Sequence, residues 1–133
     1  MTERGDVGKK AEVFFDDLWK RGDPWELETA AFEQERYTRP LAAHEGRRYA
    51  HVLEIGCGAG SFTRHLARIA DRVVAMDVSP TAMACAHERK DDRDAGQIEF
   101  QVANVMEYDP ASEGPWDLIV LSETIYYLGW LYS

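Results

Sequence analysis

Val52, Leu53 and Ile55 form a short apolar run that ends in Gly56-Cys57-Gly58-Ala59-Gly60. Alternate glycines after a buried strand permit backbone torsions that a Cβ forbids, and they let a ligand lie against the main chain where the next helix begins. A helical stretch follows with Phe62, Leu66 and Ile69 on one face, then a second apolar run, Val73-Val74-Ala75-Met76, closed by Asp77. Asp77 lies 21 residues after Gly56. That matches the ~20 expected for an acid that accepts both ribose hydroxyls of an adenosine cofactor. The bland alternative is a tight strand-to-helix turn and nothing more. With strand, loop, helix, strand and Asp77 in register, the loop reads as a cofactor site.

The same alternation continues. Ser79-Pro80 is a helix start, with Ser79 as the cap and Pro80 at the first helical position, and Ala82, Met83 and Ala86 lie within that helix. Ile98, Phe100 and Val102 alternate as a third strand, and residues 116–121 form a fourth, buried one. This predicts an α/β fold with a Rossmann-like parallel sheet. Residues 122–133 leave little room for the further strands of a doubly wound domain, so the core reads as truncated after the fourth strand. Upstream, Val13, Phe14, Leu18 and Trp19 recur at helical spacing over residues 9–21. Gly22-Asp23-Pro24 breaks the chain, and a second helix is expected over residues 25–36. The division expected is an N-terminal helical lid or cap, residues 1–48, and a cofactor-binding core, residues 49–133.

Composition narrows the function. The 133 residues suffice for one domain, and 24 acidic against 15 basic residues give a net charge of −9. Such a surface repels phosphate backbones and anionic lipid, which argues against a nucleic-acid or membrane partner. No apolar stretch nears the ~18 residues of a membrane span, and the N-terminus lacks a secretory layout. Cys57 and Cys85 make no disulfide framework, so a reduced, cytoplasmic setting is expected. His44, His51, His65 and His87 show no metal-ligand spacing, and no metal is expected.

Two cofactor classes share the loop layout. Dinucleotide sites favour Gly-x-Gly-x-x-Gly, whereas here the sixth position is Ser61 and the extra glycine is Gly60. Glu54 at the strand end opposes a pyrophosphate but suits a cation. S-adenosylmethionine carries a sulfonium and an ammonium and no phosphate, so electrostatics favours it over NAD or FAD. A nucleotide-dependent oxidoreductase is the disfavoured alternative.

At these residues the sequence resembles a class I S-adenosylmethionine-dependent methyltransferase. Leu53-Glu54-Ile55-Gly56-Cys57-Gly58-Ala59-Gly60 matches that superfamily's first motif, and Asp77-Val78-Ser79 the second, whose acid holds the ribose. Ala103-Asn104-Val105 falls where the family usually places an Asp bonded to the adenine amino group; Asn104 can still accept through its carbonyl. Trp116-Asp117-Leu118-Ile119 begins the strand of the fourth motif. Asp23-Pro24-Trp25-Glu26-Leu27, Phe32-Glu33-Gln34-Glu35-Arg36 and Glu123-Thr124-Ile125-Tyr126-Tyr127-Leu128 bring it closer to the NodS (nodulation protein S) N-methyltransferases. That family methylates a free amino group on a chitooligosaccharide. The resemblance implies N-methylation of a small molecule, an amino sugar or oligosaccharide amine, with S-adenosylhomocysteine as product. The family's later strands have no counterpart, which leaves a catalytically incomplete cofactor-binding fragment as the alternative.

The candidate cofactor residues are Glu54, Gly56, Cys57, Gly58, Gly60, Asp77, Val78, Asn104, Val105 and Ser122. Trp25 and Arg36 are candidates for the lid, with Arg36 pairing to the cofactor carboxylate; a helix packed on the sheet, with Arg36 in a surface ion pair, is the alternative. Glu123, just past the fourth strand, is the candidate catalytic carboxylate that helps neutralise an amine acceptor, or else a solvated loop residue. Tyr127 with Tyr126 lines the acceptor pocket, or joins Trp130 and Tyr132 in the core. An open fourth strand beside these aromatics is expected to promote self-association.

Overall fold

The computed structural model describes residues 2–21, 46–89 and 97–122. Among these residues four strands form one parallel sheet: β1 (Tyr49–Ile55), β2 (Ala70–Asp77), β3 (Ile98–Val102) and β4 (Leu118–Leu121), in the spatial order β3-β2-β1-β4. Among the described residues three α-helices accompany them: α1 (Thr2–Lys20), α2 (Ser61–Leu66) and α3 (Pro80–Arg89). The alternation expected from the sequence is the alternation observed. The helix expected over residues 25–36 and most of the charged run after Arg89 lie outside the described residues.

Side chains leave a strand to alternate faces, and the sheet sorts its apolar residues accordingly. Val52, Val73, Ala75, Ile98 and Phe100 pack with Leu66 and Ala67, with Ala82, Met83 and Ala86 of α3, and with Trp19 of α1. On the other face, Leu53, Ile55, Val74 and Met76 meet Ala103, Val105, Tyr108 and Trp116 from the connection after β3 and the approach to β4. Burial on both faces explains why β1 and β2 read as near-continuous apolar runs. The Ser79 hydroxyl accepts from the Ala82 N–H at 3.1 Å, so α3 begins with the cap its sequence promised.

Two expectations need correction. The fourth strand is not buried: Ile119 and Leu121 are each 50% exposed. Only β1 pairs with β4 among the described residues, and Ile119 and Leu121 alternate away from the face on which Leu118 and Val120 pack. Helix α1 begins at Thr2 rather than near residue 9. Gly5 and Gly8 disfavour that reading by about 1 kcal/mol each, but propagation from an anchored turn adds a hydrogen bond per residue. Among the described residues no helix is long and apolar enough to cross a membrane.

Strand order reverses at β1, because β2 and β3 lie to one side of it and β4 to the other. In parallel α/β sheets, ligands bind at the carboxyl ends of the strands beside such a switch. The glycine loop leaves β1 at this point.

Candidate functional site

Backbone bonds draw four strand ends into one row. The Gly56 and Cys57 N–H groups donate to the Met76 carbonyl at 2.8 and 3.1 Å, and Ala103 N–H donates to the Asp77 carbonyl at 3.0 Å. Ser122 N–H donates to the Ile55 carbonyl at 3.0 Å. Glu54, the glycine loop, Asp77, the segment around Asn104, and Ser122 are thereby gathered along one edge. These are the described cofactor candidates. Trp25, Arg36, Glu123, Tyr126 and Tyr127 lie outside the described residues.

Gly58 and Gly60 have positive φ, 56° and 86°, and both are crowded by aromatic rings. A Cβ on Gly58 would lie 2.8 Å from the Trp19 ring, and one on Gly60 would lie 3.0 Å from Phe100. The missing side chains therefore serve the protein's own packing as well as leaving main chain open. Cys57, also in the loop, is buried, and burial together with the carboxylates of Glu54 and Asp77 pushes its thiol pKa well above the usual range. It is a small apolar filler.

Asp77 closes β2 with both oxygens engaged. Oδ2 accepts from the Gly58 N–H at 3.0 Å and Oδ1 from the Ser79 N–H at 3.1 Å. Burial raises its pKa, opposed by bonds from the Ser79, Gly58 and Val78 N–H groups. A carboxylate offers two acceptor oxygens side by side, the equipment needed to accept from a pair of vicinal hydroxyls. Val78 follows, half-buried.

Glu54 is fully buried. Its Oε2 accepts from the Ser122 hydroxyl at 2.8 Å and its Oε1 from the Thr63 hydroxyl. One carboxyl thus ties the end of β1 to α2 and to the end of β4. Burial pushes its pKa up to about 7, against the two hydroxyl bonds and with the charge of Asp77 adding to the rise. Asn104 is buried with its Oδ1 accepting from the Met106 N–H at 3.0 Å. Val105, half-buried, packs on the second face of the sheet.

Sequence reading missed Glu12 and Asp16 of α1, and took Trp19 only as part of an apolar helix face. Glu12, Asp16 and Trp19 share one helical face, four and three residues apart. Glu12 Oε1 lies 3.5 Å from Asn104 Nδ2. Asp16 Oδ1 accepts from the Ser79 hydroxyl at 2.7 Å and from the Thr81 N–H at 2.9 Å. Trp19 sits on Gly58. By contrast Val13 is 60% and Phe14 37% exposed. The apolar periodicity found the helix but not its working face; the i, i+4, i+7 spacing of Glu12, Asp16 and Trp19 was the available signal.

Among proteins of known family, the chain is similar to nodulation proteins. The Nodulation protein S (NodS) family model matches residues 10–130. Nodulation protein S of Sinorhizobium fredii (strain NBRC 101917 / NGR234) is 38% identical over 108 residues, which are 80% of this chain and 48% of that protein. The Bradyrhizobium diazoefficiens protein of the same name is 36% identical over 107 residues, 80% of this chain and 49% of its own. The crystal structure of N-methyltransferase NodS from Bradyrhizobium japonicum WM9 in complex with S-adenosyl-L-homocysteine superposes with a TM-score of 0.72 at 32% identity, covering 85% of this chain and 58% of that one. The chain spans about half the length of the curated relatives it matches. The oxidoreductase alternative finds no support in these likenesses. A parallel sheet with a glycine loop and terminal Asp77, together with a family match over residues 10–130, places this chain in the NodS family.

Proposed function

We propose that this chain forms the donor-binding part of an S-adenosylmethionine-dependent methyltransferase that N-methylates a small-molecule amine, in particular an amino sugar or oligosaccharide amine. One observation carries the reading: Asp77, held at the end of β2 by the Gly58 and Ser79 N–H groups, stands beside a positive-φ glycine loop in a NodS-family chain. The residues suit the donor. Asp77 would accept the ribose hydroxyls and Asn104, with Val105 and Val78, would face the adenine. Gly56, Cys57, Gly58 and Gly60 would carry the methionine portion past open main chain. Glu54, bridged to Ser122, would place carboxyl charge near a cationic group, which suits a sulfonium and opposes a pyrophosphate.

A bound donor supplies an already activated methyl group. What remains for the protein is alignment and exclusion of water. The acceptor amine must be neutral to attack. Glu123 and Tyr127, following β4, are proposed to face the acceptor, and residues 1–48, with Trp25 and Arg36, to form the lid over a core of residues 49–133. The net charge of −9 supports a small-molecule acceptor over nucleic acid. Two free cysteines support a reduced, cytoplasmic setting. Half-exposed Ile119 and Leu121 support association of two copies along β4.

Calorimetric titration with S-adenosylhomocysteine tests the donor site. The 133-residue chain should bind, and Asp77→Ala should weaken binding at least about tenfold. Saturable NADH binding in its place would overturn the reading. The alternative reading is a unit that binds donor without transferring methyl. Methyl transfer to an amino-sugar oligomer by this chain would reject it.

A further inference from the structure

Ser79 sits between two carboxylates. Its N–H donates to Asp77 Oδ1 at 3.1 Å, and its hydroxyl donates to Asp16 Oδ1 at 2.7 Å. The same hydroxyl accepts from the Ala82 N–H at 3.1 Å, so its proton is committed to Asp16. Asp16 Oδ1 also accepts from the Thr81 N–H at 2.9 Å, and Oδ2 lies 3.3 Å from Lys20 Nζ. One oxygen of α1 therefore takes both bonds at the turn that follows Asp77. On either side of that point the same helix face reaches Asn104 through Glu12 and Gly58 through Trp19.

We propose that Asp16 is a positioning residue for the donor site: by fixing Ser79 it holds the Asp77 carboxylate in the orientation that accepts a vicinal diol, and it pins α1 across the nucleoside end of the site. This role of Asp16 rests on the donor-site reading above and extends that site to a residue on another element. A carboxylate that must accept two hydroxyls at once needs a fixed rotamer, and the Ser79 N–H, beside those of Gly58 and Val78, is one of its fixings. Freeing Ser79 loosens the Asp77 oxygen that it orients. Burial pushes the Asp16 carboxyl up, but the bonds from Ser79 and Thr81, with Lys20 beside it, more than offset this and hold its pKa below the usual carboxylate range. The acceptor is thus ionised at neutral pH.

Calorimetry on the 133-residue chain with S-adenosylhomocysteine, adenosine and 2′-deoxyadenosine tests this, beside thermal unfolding of each variant. Asp16→Ala should weaken S-adenosylhomocysteine and adenosine alike, by about tenfold, and should erase most of the preference for adenosine over 2′-deoxyadenosine. Asp16→Asn keeps an oxygen at Oδ1 and should bind within about twofold of the unaltered chain, a rescue that charge attraction alone does not give. Ser79→Ala, which breaks the same link from the other side, should lose the diol preference as Asp16→Ala does and decides the matter if Asp16→Ala does not fold. Unchanged diol preference in Asp16→Ala or Ser79→Ala, or an Asp16→Asn variant as weak as Asp16→Ala, would overturn the role of Asp16 while leaving the donor site standing. No binding of S-adenosylhomocysteine by the unaltered chain would remove both.

Discussion

β1 and β4 lie side by side, with Leu53 opposite Ile119 and Glu54 opposite Val120, yet they live in different solvents. Leu118-Ile119-Val120-Leu121 is the more apolar sequence, but Ile119 and Leu121 are half exposed. Val52-Leu53-Glu54-Ile55 contains a carboxylate, and all four residues are buried. Burial follows position in the sheet, not the hydrophobicity of the strand: β1 has a strand on each side and packing on both faces, whereas β4 has one described neighbour. Carboxylate burial in β1 is tolerable because Thr63 and Ser122 hydroxyls meet both oxygens of Glu54.

The largest contrast should appear in a matched truncation. Leu53→Ala is expected to lose about 3 kcal/mol of unfolding free energy in urea, the usual scale for a fully buried leucine. Its cross-strand partner change, Ile119→Ala, should stay under about 1 kcal/mol. Equal losses would mean that β4 is as buried as β1 and would break the comparison.

A comparable effect, with a pH signature, belongs to Glu54. Its folded pKa of about 7 stands above the ordinary 4.5, so the folded state holds a proton that the unfolded state releases between those values. Stability therefore falls as pH rises from about 4.5 to 7, and the full cost, on the order of 3 kcal/mol, is present above pH 7. Glu54→Gln should raise the unfolding midpoint at pH 8 and lose that advantage near pH 4.5. A constant gain across this range would show that desolvation of the charge is not the cause.

Smaller effects sharpen the same contrast. Gly60→Ala places a Cβ at φ 86° against Phe100 and should lose about 1–2 kcal/mol by thermal unfolding. Ile119→Lys, on the open side of β4, should change stability by less than about 0.5 kcal/mol while lowering the associated fraction in light scattering. Association that persists in this variant would move the contact away from β4.

Much of this was legible beforehand because it is local. Ser79 caps α3 through bonds within one turn, and Asp77 ends a strand whose apolar run stops at Met76. The exposure of Ile119 and the partners of the α1 face were not legible, since both depend on which neighbours arrive from elsewhere; the spacing of Glu12, Asp16 and Trp19 marks a face but not what it meets. Asp16 and Ser79 are 63 residues apart, and nothing in the spacing of either segment announces their bond.

The sequence by itself determined the alternation of strands and helices, the glycine bend, the acid that follows 21 residues later, and the family. Each is written in short-range pattern, where torsional freedom and side-chain periodicity act over a few residues. Tertiary structure alone decided that Glu54 is sealed between Thr63 and Ser122, that β4 faces outward, and that a helix from the N-terminus lies on the turn after Asp77. Those outcomes are set by long-range packing, where the free energy of a polar group depends on what closes around it rather than on its neighbours in the chain.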